Sequence, residues 1–149
     1  MKTVYVDADA CPTNIRHDIA QLTPHDVFVH FVASYAHMSN HKDGCKWTFV
    51  DASSESVDLF IINHTTPHDI AVTQDYGLAS LLLPKGVSVL SPRGKEYTEY
   101  NIEGFLQARY QASKARRSGK KTKGPRAFTQ EDRAAFQKTY KKVLSKEGI

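Results

Sequence analysis

Short apolar runs rich in β-branched and aromatic residues recur along the chain at Thr3–Val6, Val27–Ala33, Trp47–Val50, Ile70–Thr73 and Val87–Leu90. Helix-like stretches separate them, near Asn14–Leu22, Ser54–Asn63 and Leu78–Leu83. This alternation predicts repeated βαβ units and an α/β fold with a mainly parallel sheet. In the middle helix Val57, Phe60 and Ile61 fall at the 3 and 4 spacing of a stripe packed on a sheet, and Asp58 stands beside it. Pro12 suits the first turn of a helix, where a missing N–H costs nothing, so the chain is expected to turn straight from strand 1 into helix 1.

The pattern changes after Ser91, Pro92, Arg93 and Gly94. A helix carrying Ile102, Phe105, Leu106 and Tyr110 runs into SKARRSGKKTKGPR, whose glycines, proline and crowded cations predict an exposed loop. Thr129 and Asp132 then stand in capping-box spacing before a last helix with Phe136, Tyr140, Val143 and Leu144 on one face. The expectation is a single domain over 1–149, with 93–149 a basic helical extension docked by its helices.

At 149 residues, 40% hydrophobic and 24% charged, the composition is that of a globular protein and excludes a wholly disordered chain. No apolar run approaches the roughly 20 residues of a membrane span, and the start MKTVYVDADACP lacks the apolar core of a signal peptide, so a cytoplasmic protein is expected. Cys11 and Cys45 are too few for a disulfide framework and are read as reduced thiols. Charge changes the picture once it is divided by position. Residues 1–92 hold five basic and ten acidic side chains, net −5, and residues 93–149 hold fifteen basic and six acidic, net +9. That separation predicts an acidic site in the first part and a polyanion-binding surface in the second.

The strongest local signal is VYVDADACP, an apolar strand ending in Asp7 and Asp9. Ligands of parallel α/β sheets bind beyond the carboxyl ends of the strands, above all where strand order reverses. The same pattern returns in IAVTQDYGLASLL, which delivers Thr73 and Asp75 just before a helix. In a doubly wound sheet of order 3-2-1-4-5, strands 1 and 4 are neighbours, so Asp7, Asp9 and Asp75 converge and Asp58 completes the cluster. Several carboxylates in one cleft call for a cation or shared protons, and oxygen-only ligands suit Mg²⁺ or Mn²⁺ rather than zinc.

Each of these aspartates taken alone also fits a helix cap, and Asp51 and Asp69 are assigned to capping or turn roles. The seven histidines are scattered, without zinc-site spacing, and most are expected at the surface. His37 and Asn40, in the polar segment after strand 2, leave the same edge of the sheet as the aspartates. No GxSxG, Walker A or GxGxxG pattern is present, which removes support from serine hydrolases, P-loop enzymes and dinucleotide enzymes.

Lysine and arginine contacts to phosphates supply most non-specific nucleic-acid affinity. Lys114, Arg116, Arg117, Lys120, Lys121, Lys123 and Arg126 fit that demand. Arg93 and Lys95 follow strand 5 and are expected to hold a substrate phosphate beside the metal, with Thr73 also at the substrate. A solvated charged loop is the plainer reading of the basic stretch, and the acidic edge weighs against it.

These residues carry a resemblance. VDADACP, FVASYAH, VDLFIINH, DIAVTQDYGLASLLL, LSPRGK and KARR…GKKTKGPR…FTQEDR make the chain, almost end to end, similar to the YaiI/YqxD family of uncharacterised bacterial proteins, placed in the PIN-like nuclease superfamily. The resemblance implies a PIN-like three-layer fold, an acidic metal centre on Asp7, Asp58 and Asp75 with Asp9 extending the first, and ribonuclease activity. No separate fourth acidic position follows Asp75, where Tyr76 and Gly77 stand, so one ion or two remain open.

The leading expectation is therefore hydrolysis of RNA by one or two Mg²⁺ or Mn²⁺ ions held by Asp7, Asp9, Asp75 and Asp58, leaving a 5′-phosphate. DADAC also matches the DxDx[TV] loop of haloacid-dehalogenase-like phosphatases, but Cys11 replaces the usual Thr or Val and no downstream lysine and acidic pair follows. The third reading is a non-catalytic RNA-binding module that kept the fold and lost turnover.

Overall fold

Strand β1 (Thr3–Asp7) is buried through its middle because it lies inside the sheet, paired in parallel with β2 (Phe28–Ser34) on one side and β4 (Ile70–Val72) on the other. The computed structural model describes residues 2–35, 45–51, 54–119 and 126–149. Within them β3 (Lys46–Val50) pairs with β2, and β5 (Ser88–Leu90) with β4, both in parallel. The resulting order is β3-β2-β1-β4-β5-β6, which contains the expected 3-2-1-4-5. The added strand β6 (Glu96–Tyr97) is antiparallel to β5 and only two residues long, too short for an alternation signal. The turn before it is closed by Ser91 N donating to Lys95 O at 2.8 Å and Gly94 N to Ser91 O at 3.0 Å.

Side chains alternate across a strand, and the sheet has a core on each face. Val4 and Val6 of β1 join Ile70, Val72 and Phe31 in one cluster with Ile15 and Ile19 of α1 (Thr13–Leu22) and Phe136, Tyr140, Val143 and Leu144 of α5 (Gln130–Lys146). Tyr5, Val32, Ala71 and Val89 point the other way, onto Val57 and Ile61 of α2 (Ser54–His64) and Leu78, Ala79 and Leu82 of α3 (Tyr76–Leu82). Ile102 and Phe105 of α4 (Ile102–Arg117) pack against that second cluster. Tyr110, grouped with them by periodicity, is instead 57% exposed, because α4 docks only by its first turns.

One local expectation changes. Strand β1 does not turn straight into α1: a single 3-10 turn, Ala8–Ala10, intervenes and Pro12 is the N-cap rather than a first-turn residue. Among the described histidines His30 is the buried one, with Nε2 2.6 Å from Thr48 Oγ1, and burial pulls its pKa down to about 4. The capping box of α5 is present, with Thr129 Oγ1 accepting from Asp132 N and Asp132 accepting from Thr129 N. Asp69 plays the expected turn role, accepting from Thr3 N, Thr66 N and Thr66 Oγ1. Cys11 is buried, and burial pushes its thiol far above the usual range, leaving an inert side chain. Among the described residues no helix is long and apolar enough to cross a membrane.

Candidate functional site

Asp7 is the last residue of β1, and the parallel register sets Val6 beside Val72 of β4, so the residues following β4 emerge next to Asp7. The first of them, Thr73, is 1% exposed and joins the two strand ends. Its hydroxyl donates to Asp7 Oδ2 at 3.0 Å and accepts from Asp75 N at 3.0 Å. Thr73, expected to touch substrate, is thus a buried link that orients Asp7. Asp75 caps α3, accepting from Leu78 N at 3.1 Å. The capping role and a place in the acidic cluster coincide in one side chain.

Helix α2 brings the third carboxylate. Val57 and Ile61 are buried, which fixes the rotation of the helix, and Asp58 is half-buried beside them. Burial first, then the charges of Asp75 and Asp7 and a hydrogen bond with Asp75, raise the Asp58 pKa to about 7; Arg109 opposes the shift. Asp7 is raised to about 6, again by burial first, with Asp9 and Asp75 adding repulsion and the Thr73 hydroxyl working against it. Burial and the neighbouring carboxylates thus favour the protonated form of Asp58 up to about pH 7.

Asp9 stands apart in its bonding. It lies in the 3-10 turn, and Ser34 N at the end of β2 lies 3.0 and 3.1 Å from its two oxygens. Asp9 nonetheless borders the same cleft as Asp7, Asp58 and Asp75. Among the described residues no three histidine, cysteine, aspartate or glutamate side chains are already arranged to hold a metal ion. The aspartates meet through charge, the Asp58–Asp75 hydrogen bond and the Thr73 bridge.

The cleft has a volume of about 1180 Å³, and its other wall is basic. Arg109, which strand and loop patterns did not single out, reaches from α4 to Asp75, Nη1 to Oδ1 at 3.3 Å. Its signal was the spacing of 105, 109, 112 and 116 on one helix face, a continuation of the docking stripe. Arg93 and Arg126 border the cleft but converge on Asp132, Arg93 Nη1 at 2.9 Å and Arg126 at 2.8 and 2.6 Å. Arg93 also donates to the carbonyls of Ala127 and Arg126, so it fastens the start of α5 instead of presenting a free guanidinium. Lys95 lies over the Phe105 ring at 5.4 Å, and Arg116 bonds to Ser113 on its own helix. Lys114 and Arg117 are exposed in the last turn of α4. Lys120, Lys121, Lys123, His37 and Asn40 lie outside the described residues.

The sequence model described as "Uncharacterized BCR, YaiI/YqxD family" matches residues 5–146. A UPF0178 protein of Halalkalibacterium halodurans is 47% identical over 142 residues, covering 95% of this chain and 90% of its own. Similar proteins of Bacillus cytotoxicus and Bacillus velezensis, also named UPF0178, are 46% and 47% identical, covering 95% and 99% of this chain and 92% and 89% of theirs. No solved structure matches the chain significantly. A match that runs from the middle of β1 to the end of α5 takes in the acidic cluster and its basic wall alike, and the chain belongs to the YaiI/YqxD family.

Proposed function

We propose that this protein is a metal-dependent ribonuclease acting where Asp7, Asp58 and Asp75 meet, with Asp9 at their side. One observation carries the reading: three carboxylates from segments far apart in sequence interact in a cleft whose opposite wall carries arginines and a lysine. Carboxylates 4 Å apart repel by about 4 kcal/mol per pair at an effective dielectric near 20, so such a cluster calls for a proton or a cation. The donors are all oxygens, which suits Mg²⁺ or Mn²⁺. Asp7 and Asp75 would hold the ion directly, Asp58 directly or through water, and one or two ions would be bound. When bound, the metal supplies a Lewis acid that lowers the pKa of an attacking water and offsets charge on the phosphate.

The remaining work falls to side chains of the chain. Thr73 keeps Asp7 turned toward Asp75. Lys95 and Arg116 border the cleft and attract the strand backbone through its phosphates. The order β3-β2-β1-β4-β5, with the aspartates on both sides of its central strand, supports a PIN-like arrangement. An RNA substrate agrees with a cytoplasmic protein.

The test uses end-labelled single-stranded and structured RNA with Mg²⁺ or Mn²⁺. The expected result is cleavage leaving 5′-phosphates, abolished by EDTA and by Asp75→Asn, a variant that preserves the cap of α3. Equal cutting by mutant and wild type would overturn the assignment. Tight RNA binding with no product would favour a non-catalytic RNA-binding module, and a phosphoaspartate at Asp7 after exposure to a phosphomonoester would favour a phosphatase.

A further inference from the structure

At 3.3 Å the Arg109–Asp75 contact is longer than the Arg93–Asp132, Arg126–Asp132 and Arg133–Asp18 ion pairs, at 2.9, 2.6 and 2.8 Å. Arg133 grips Asp18 through two bonds of 2.8 Å, and Arg126 grips Asp132 through bonds of 2.8 and 2.6 Å. Arg109 makes one contact of 3.3 Å, to an oxygen that also accepts the α3 capping bond from Leu78 N. A two-bond fork is the strong geometry for arginine and carboxylate, so this pair is the weaker one. The Arg109 side chain is 56% exposed, against 31% for Asp75.

Its approach is nevertheless built into the fold. Phe105, one turn earlier on α4, stacks on Tyr76 at 5.2 Å and meets Tyr97 edge-on at 5.6 Å, which sets the helix rotation. Gly77 leaves the path open: a Cβ there would stand 3.1 Å from Asp75 Oδ1 and 3.3 Å from Arg109 Nη1. Arg93 and Arg126 are held on Asp132, and Lys95 lies over Phe105. Arg109 alone of these reaches the acidic cluster.

We propose that Arg109 is a displaceable counter-ion, which occupies the place of a divalent cation beside Asp75 and, when that cation binds, swings into the cleft to hold a phosphate of the nucleic acid. The inference rests on the ribonuclease reading for where the cation and phosphate sit. It follows from a weak, single-point ion pair on a long side chain, exposed to the cleft and next to the position where the charge of a metal would repel it. Because release of Arg109 is shared by both events, cation and phosphate should each strengthen the binding of the other.

The experiment measures Mn²⁺ affinity of wild type, Arg109→Ala and Arg109→Lys by titration without RNA, then again with a nucleoside 5′-monophosphate as phosphate probe. Arg109→Ala is expected to bind Mn²⁺ about fivefold or more tightly than wild type, since the competing charge is gone, and to lose the strengthening by the monophosphate. Arg109→Lys, which keeps the charge, should stay near wild type in both. Unchanged or weaker Mn²⁺ binding in Arg109→Ala, or an undiminished effect of the monophosphate, would overturn the proposal even if wild type cuts RNA. If wild type cuts no RNA while the Mn²⁺ results follow the expected pattern, the ribonuclease reading fails and the counter-ion role stands.

Discussion

Thr73 and Asp7 lie 66 residues apart in sequence, and the threonine hydroxyl donates a 3.0 Å hydrogen bond to Asp7 Oδ2. The same hydroxyl accepts from the Asp75 amide, so one buried oxygen sets the relative position of two carboxylates, one at the end of β1 and one just beyond β4.

Thr73→Val should therefore act on the site through Asp7 and Asp75. Removing the hydroxyl leaves a backbone N–H without its acceptor and costs about 1–3 kcal/mol of stability. It also removes the bond that lowers the Asp7 pKa, so that pKa, already raised to about 6, rises further. Loss of a partner that orients a ligand costs roughly 10–100-fold in metal affinity or activity. Urea denaturation and Mn²⁺ titration check the two effects, and Thr73→Ser should restore most of both.

The raised carboxyls predict an unusual pH response of the cation-free protein. Asp58 and Asp7 have folded pKa values of about 7 and about 6 against an ordinary 3.8, so between these limits the folded state binds more protons than the unfolded one. Stability from these groups then falls as pH rises from about 4 to about 7, the reverse of a salt-bridged aspartate. Thermal denaturation in EDTA across that range should show the decline. Asp58→Asn should flatten it, and a decline of unchanged steepness in that variant would contradict the pKa assignment.

Gly94 predicts where the docking of α5 is intolerant. It has φ +86°, and a Cβ there would lie 2.5 Å from the Ala135 carbonyl carbon and 2.7 Å from Phe136 N, both backbone atoms that cannot step aside. Gly94→Ala should cost about 2–4 kcal/mol, from strain at a left-handed position and a displaced helix. Guanidinium unfolding measures it.

The cations bordering or flanking the cleft should divide by what holds them. Arg116→Ala and Lys114→Ala should weaken RNA binding on all sequences alike and reduce the salt slope by about 1 each. Arg93→Ala should instead lower the denaturation midpoint while changing the salt slope little, because its guanidinium is engaged with Asp132 and two carbonyls. Fluorescence anisotropy at several salt concentrations separates the two classes.

Much of this arrangement was legible in the sequence for physical reasons. Strands buried on both faces read as continuous apolar runs, and a strand ending in aspartate at the carboxyl edge announces a site, as VYVD and the Ile70–Asp75 segment do. Asp58 was readable because its neighbours Val57 and Ile61 fixed the face of the helix. Partnerships between distant charges were not. Nothing local in Asp132 says that it gathers Arg93 and Arg126, and Asp18 finds Arg133 across 115 residues. The same is true of Asp9, whose partner Ser34 N becomes visible only when β1 and β2 are aligned. Burial of Thr73 also depends on the sheet around it, which is why a cleft-facing role was expected.

The terminal helix has a consequence for how the molecule comes into being. Its Tyr140 hydroxyl lies 2.6 Å from Thr23 Oγ1, a partner 117 residues upstream, and Phe136, Tyr140 and Val143 fill the same cluster as Val4 and Val6. Contacts of such long sequence separation slow folding, because the intervening chain must be ordered before they form. On the ribosome, the face of the sheet that carries Val4 and Val6 is covered only in part, by α1, until α5 has emerged. A truncated product ending before that helix would carry the acidic edge on an exposed apolar surface, a natural target for chaperones and proteases.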